Sequence, residues 1–190
     1  MQHTYGARLE RLLIKPLEEE ELELLRKWRN DNDISRYLRK IDFIDPKQQV
    51  EWFKRYLYQP DIYYWAIVED EKVIGSLSIY NIQDQRAEIG KIMIGAPNAR
   101  GKGYGYHSLI MAMKIGFDLL NLRAFYLRVD IRNIAAIKTY KRAAFQIIGT
   151  RMKDEDVIEY EMELKQERYV EVNPMSNDIV LYPVWGGITE

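Results

Sequence analysis

The apolar residues of this chain change period several times, and each change predicts an element. Leu9 to Leu17 reads as a first strand with Leu12, Leu13 and Ile14 at its centre. The acidic run Glu18 to Glu21 suits the positive end of a helix dipole, and Leu22, Leu25 and Trp28 then recur at helical spacing. Asp33 is placed to cap a second short helix whose Ile34, Tyr37 and Leu38 share one face. Asp45-Pro46-Lys47-Gln48 reads as a helix start, with an Asp cap, Pro in the first turn and Gln48 closing a capping box. Val50, Phe53 and Leu57 line that helix and Pro60 ends it.

From Tyr63 the period shortens. Residues 63–68, 73–79 and 87–94 read as strands joined by short polar links, which predicts antiparallel hairpins. A loop follows Gly95, and then Leu109, Met113, Gly116, Phe117 and Leu120 mark one face of a long helix. Residues 124–129 read as a strand, Asn133 to about Ala143 as a capped helix, and Phe145 to Gly149 as a strand. After the polar turn 153–156, Ile158, Tyr160, Met162 and Leu164 alternate with Glu159, Glu161, Glu163 and Lys165, a strand with one buried face. The order predicts a mixed α/β (α+β) domain around a single sheet over residues 1–165. Residues 166–190 form a C-terminal extension. Its Ile179-Val180-Leu181-Tyr182 and Val184-Trp185 read as an extra strand, or as an arm packed on the body or on a second subunit, making a homodimer.

Composition narrows the chemistry. A chain of 190 residues that is 47% apolar can fill one core. Its 28 basic and 29 acidic residues leave a net charge of −1, which argues against a dedicated nucleic-acid or anionic-membrane binder. The absence of cysteine excludes a disulfide framework, a thiolate metal site and an acyl-cysteine intermediate. His3 and His107 are too few and too far apart for a histidine metal cage, so no metal is expected. No run of about 18 apolar residues occurs and the first eight residues carry no signal-peptide core, so a cytoplasmic protein is expected. The 14 tyrosines are read first as packing groups.

The stretch Arg100-Gly101-Lys102-Gly103-Tyr104-Gly105 lies between a predicted strand and a predicted helix. Free N–H groups at a helix start attract anions, glycines allow close backbone approach, and two cations flank them. Pyrophosphate fits such a loop. A Walker A reading fails because five residues, not four, separate Gly95 from Gly101, and Gly103 stands where a hydroxyl belongs. A dinucleotide fingerprint fails because Tyr106 occupies the third glycine position.

The same loop resembles the R/Q-x-x-G-x-G/A signature of the GNAT N-acetyltransferases, with Arg100, Gly103 and Gly105 in the marked positions. Residues 133–140, Asn133 to Tyr140, resemble that family's N-x-x-A-x-x-x-Y helix, and Ala144-Phe145 stands where it usually has Gly-Phe. The change to Ala144 keeps small size. The resemblance covers residues 9 to 165 and implies a GNAT fold, with acetyl-CoA in a cleft between two splayed strands. It implies that backbone groups of Ile92, Met93 and Ile94 pair with the pantetheine arm. The N–H groups of Arg100, Gly101, Lys102, Gly103, Tyr104 and Gly105 would then hold the pyrophosphate. Asn133 would bond the pantetheine end or only cap its helix.

An acceptor amine must be neutral to attack a thioester. At a pKa of about 10.4 only about one in 10³ is neutral at pH 7, a deficit of roughly 4–5 kcal/mol. Glu88 is the candidate base, directly or through water, and Tyr140 the candidate acid for the leaving thiolate. Residues 28–31, Ile34, Tyr37 and 49–53 resemble the RimJ/RimL-like branch, and more closely the branch acting on nucleotide-linked 4-amino sugars. The segment 121–123 resembles spermidine acetyltransferases. Arg29, Asn30 and Asp31 are therefore candidate acceptor contacts, with helix-end capping as their other reading. The acceptor is expected to be a small-molecule amine (nucleotide amino sugar or polyamine) or a protein N-terminus. A non-catalytic acyl-CoA sensor or partner subunit is the alternative.

Overall fold

The computed structural model describes residues 3–38, 43–154 and 156–183. Val184 and Trp185, named above, lie outside them, as do the first two of the eight opening residues and residue 155 of the polar turn.

The chain opens with two strands where one was expected. β1 (Tyr5–Leu9) and β2 (Leu12–Pro16) form a hairpin in which Leu9 faces Leu12. Glu10 takes φ 53° in the turn. β1 escaped the pattern because Gly6 and Ala7 are small and Arg8 interrupts the apolar run.

Three helices follow: α1 (Leu22–Asn30), α2 (Asn32–Ser35) and α3 (Pro46–Tyr56). The cap of α2 is Asp31, which accepts from the Asp33 and Ile34 N–H groups, and not Asp33 as expected. α3 starts on the expected capping box, Asp45 accepting from Gln48 N–H and the Gln48 side chain accepting from Asp45 N–H. It buries Phe53 as expected, but Gln49 and Tyr56 in place of Val50 and Leu57, and it ends before Leu57.

β3 (Tyr63–Glu69), β4 (Lys72–Gln83) and β5 (Arg86–Ile94) make the antiparallel meander. β4 runs through much of the segment expected to be a polar link. α4 (Tyr104–Asp118), β6 (Ala124–Asp130), α5 (Ile134–Arg142), β7 (Gln146–Asp154) and β8 (Val157–Lys165) follow. α6 (Gln166–Val172) and β9 (Val180–Pro183) complete the described chain.

One sheet holds all nine strands in the order β7-β8-β6-β5-β4-β3-β2-β1-β9. Every neighbouring pair is antiparallel except β5–β6. Both faces are covered. Trp65 and Ile67 of β3 enter the core under α4, while Tyr64, Ala66 and Val68 pack with Leu25 and Trp28 of α1 and Phe53 of α3.

α4 is buried nearly all round, so the single face read from its sequence is a correction. The C-terminal extension accounts for it: the Tyr169 hydroxyl donates to the Ile110 carbonyl, and the Tyr106 hydroxyl donates to the Asn173 amide oxygen. β9 pairs with β1 of the same chain. The alternation expected in β8 breaks at its start. Glu159 is buried, bridged by Arg151 and Lys153 at 3.3 and 3.2 Å, while Ile158 is exposed.

Candidate active site

β5 and β6 pair only over Arg86–Glu88 and Ala124–Tyr126. Beyond Glu88 they part, and the β5 edge from Ile89 to Ile94 has no strand partner among the described residues. An unpaired edge of N–H and C=O groups invites an extended ligand. The cause is local. β5 carries an extra residue between its pairings at Gly90 and Met93, and Lys91 sits at φ 51° in that bulge. Past it, Met93 packs toward α1 and α3, while Ile92 and Ile94 pack toward α4.

The loop after β5 leads into α4. Gly101 and Gly103 both take positive φ, 76° and 85°, and Gly103 caps the helix. A Cβ on Gly101 would meet nothing within 4 Å, and one on Gly105 only Ile94 at 3.9 Å. This side of the loop is open to a ligand. The first intrahelical donors, Tyr106 and His107, both reach Gly103 O, leaving Tyr104 and Gly105 N–H at the helix start. The Arg100 guanidinium folds back to donate to the Ile94 and Gly95 carbonyls at 3.1 and 3.2 Å. It thereby ties the loop to the end of β5, a role the sequence reading did not assign. Lys102 is exposed, and the Tyr104 hydroxyl donates to Glu69.

Glu88 is buried where the two strands part. Its Oε1 accepts from the Tyr80 hydroxyl at 2.9 Å, and its Oε2 from the Asn81 amide at 3.1 Å. Arg128 of β6 stands 3.6 Å from Oε2. Burial, and then the Glu88 charge, push the Tyr80 phenol far above its usual range, with Tyr140 and Tyr126 adding to the effect. Tyr140 is part-buried on α5 with its ring edge-on to Phe145, and burial pushes its phenol up to about 12.

Asn133 caps α5, its Oδ1 accepting from Ala136 N–H at 3.2 Å. Ala144 follows that helix at φ 75°. The size argument made for this position is therefore corrected: what glycine supplies here is left-handed backbone, not small volume.

The three acceptor candidates divide. Asn30 holds the Ile44 backbone through two hydrogen bonds of 2.9 Å, and Asp31 caps α2. Arg29 is largely buried, close enough to Tyr64 and Lys91 to interact with both. Lys91 places its ammonium 4.5 Å from the centre of the Tyr80 ring and 5.6 Å from that of Tyr64. Burial, then Arg29, lower its pKa, against Glu88 which raises it. Tyr80, Asn81, Lys91 and Arg128 were not singled out from the sequence.

The acetyltransferase (GNAT) domain family matches residues 11–146. The chain belongs to that family. It is 30% identical over 150 residues to acetyltransferase PseH of Campylobacter jejuni, covering 79% of this chain and 89% of that one. It is 26% identical over 143 residues to spermidine N(1)-acetyltransferase of Escherichia coli K12, covering 74% and 76%. The spermidine N-acetyltransferase of Vibrio cholerae, solved with CoA and spermine, superposes with a TM-score of 0.77 at 21% identity, over 84% of this chain and 98% of that one.

As a GNAT enzyme the protein transfers acetyl from acetyl-CoA to an amine. The residues fit that cosubstrate: an unpaired β5 edge for an amide-bearing arm, and an open glycine loop at a helix start for a pyrophosphate. No group of three or more histidines and carboxylates that could hold a metal occurs among the described residues. No helix among them is long and apolar enough to cross a membrane.

Proposed function

We propose that the acceptor is an anionic small-molecule amine, a nucleotide-linked amino sugar, acetylated directly within a ternary complex in the cytoplasm. One observation carries this reading: Arg29 and Lys91, two largely buried cations, lie together beside Glu88 and the Tyr64 and Tyr80 rings. Such a group attracts phosphate and stacks on a sugar or base, and it repels a polyamine. Spermidine carries several positive charges and would meet like charge before reaching the thioester.

In this reading Glu88 accepts the proton of the amine, and the amine attacks the thioester carbon while the CoA thiolate leaves. Backbone N–H groups of Ile92, Met93 and Ile94 line the arm and supply the oxyanion donor. Arg100 braces the pyrophosphate loop through its two backbone carbonyls. Tyr140 hydrogen-bonds the leaving sulfur. Burial holds its phenol well above the range of a thiol, so it stabilises the thiolate by hydrogen bonding and keeps its proton.

The test is acetyl-CoA turnover, read as thiol release, against a nucleotide-linked 4-amino sugar, spermidine and a peptide amine. The sugar should give a kcat/KM at least tenfold above the others. Preferred turnover of spermidine would overturn the acceptor assignment. Parallel lines in double-reciprocal plots would overturn direct transfer.

A further inference from the structure

We propose that Tyr80 takes the proton from the acceptor amine and relays it to Glu88. The proposal rests on the reading of Glu88 as the base and refines it.

Glu88 has little freedom to meet a substrate directly. Its side chain is 11% exposed, and both oxygens already hold donors, Tyr80 on Oε1 and Asn81 on Oε2, with Arg128 beyond. Tyr80 lies between this carboxylate and the bulge. It pairs with Glu88 across β4 and β5, and a Cβ on Gly90 would fall 3.0 Å from its hydroxyl oxygen. A side chain at 90 would press on that oxygen, one residue before the bulge at Lys91.

Tyr80 cannot serve as a base alone, because burial and the Glu88 charge both oppose a phenolate there. A coupled shift avoids it. The ammonium gives one proton to the Tyr80 oxygen as the Tyr80 hydroxyl proton passes to Glu88 Oε1. Tyr80 is neutral before and after, and Glu88 becomes a carboxylic acid. The freed nitrogen pair forms the C–N bond, the C–S bond breaks, and the nitrogen's second proton neutralises the CoA thiolate. Glu88 then returns its proton to solvent. The groups facing Tyr80 suit this task. The Lys91 cation over the ring eases any negative charge on the oxygen in passing, while Tyr126 and Tyr140 add no formal charge.

The experiment compares Tyr80→Phe, Glu88→Gln and the double variant, with acetyl-CoA and whichever of the amino sugar and spermidine turns over. Each single variant should lower kcat about 100-fold at pH 7 with KM for acetyl-CoA unchanged. The double variant should be no slower than the slower single one, because the two act as one unit. The deficit should shrink as pH rises toward the amine pKa, where the neutral amine needs no base. A structural defect would not be repaired by pH. Loss in Glu88→Gln with full activity in Tyr80→Phe overturns the relay and leaves Glu88 as base. Multiplying losses in the double variant also overturn the relay. Full activity in both single variants overturns the base reading together with the relay.

Discussion

Trp28 of α1 lies against Gly95 so closely that a Cβ there would fall 1.9 Å from its ring. Gly95 also donates its N–H to Ile74 O, so its backbone is held. The helix that carries Arg29 is thus seated on the residue that follows β5, the strand proposed to line the cosubstrate cleft. Gly95→Ala must displace Trp28 and with it α1. The variant should lose about 1–3 kcal/mol of stability in urea unfolding. Its KM for the acceptor should rise more than its KM for acetyl-CoA.

Ala144→Gly should stabilise the protein. An alanine at φ 75° costs about 1–2 kcal/mol relative to glycine, and losing one buried methyl returns part of that. A net gain of about 0.5–1 kcal/mol, or roughly 1–4 °C in Tm, is expected in calorimetry.

Acid should weaken the fold through His3. Its Nε2–H donates to Tyr64 O at 3.0 Å between the Tyr63 and Trp65 rings, and burial lowers its pKa to about 4. The unfolded chain binds this proton near pH 6.5 and the folded one only near 4. The stabilising contribution is therefore complete above pH 6.5 and is lost as pH falls to 4, on the order of 3 kcal/mol. Urea midpoints should fall across that window, and His3→Phe should flatten the slope.

Gly103→Glu should remove acetyl-CoA binding. The position needs φ 85°, and a side chain there starts 3.6 Å from His107 with a negative charge at the helix start. Calorimetry should show affinity reduced more than 100-fold while circular dichroism stays unchanged. Wild-type affinity would sink the assignment of the loop.

Much of this is legible in the sequence. Period changes marked β3, β5, β6 and both long helices, because each buries a regular face or is buried throughout. The capping box at Asp45 and the cap at Asn133 are local chemistry, and local chemistry survives folding. The hairpin β1–β2 was hidden by small residues, and the burial of α4 by a C-terminal extension whose docking has no local signal. Glu88 was singled out as a candidate, but not the Tyr80 and Asn81 side chains that bond it. A tight turn at Asp84-Gln85 in plain register would set Asn81 opposite Glu88. The bulge at Asn81, with φ 54°, brings Tyr80 there instead. Lys91 stayed unseen for the same reason: bulges follow from pairing between strands, and pairing is not written in either strand alone.

β9 completes the sheet against β1, about 170 residues earlier in the chain. During synthesis the first hairpin therefore waits with an open edge until the last described residues emerge. The cleft between β5 and β6, and the loop beyond it, draw on residues that are all synthesised before β9. A chain whose β9 has not yet paired would thus hold the proposed catalytic half beside an adhesive rim, at the opposite border of the sheet from the proposed site.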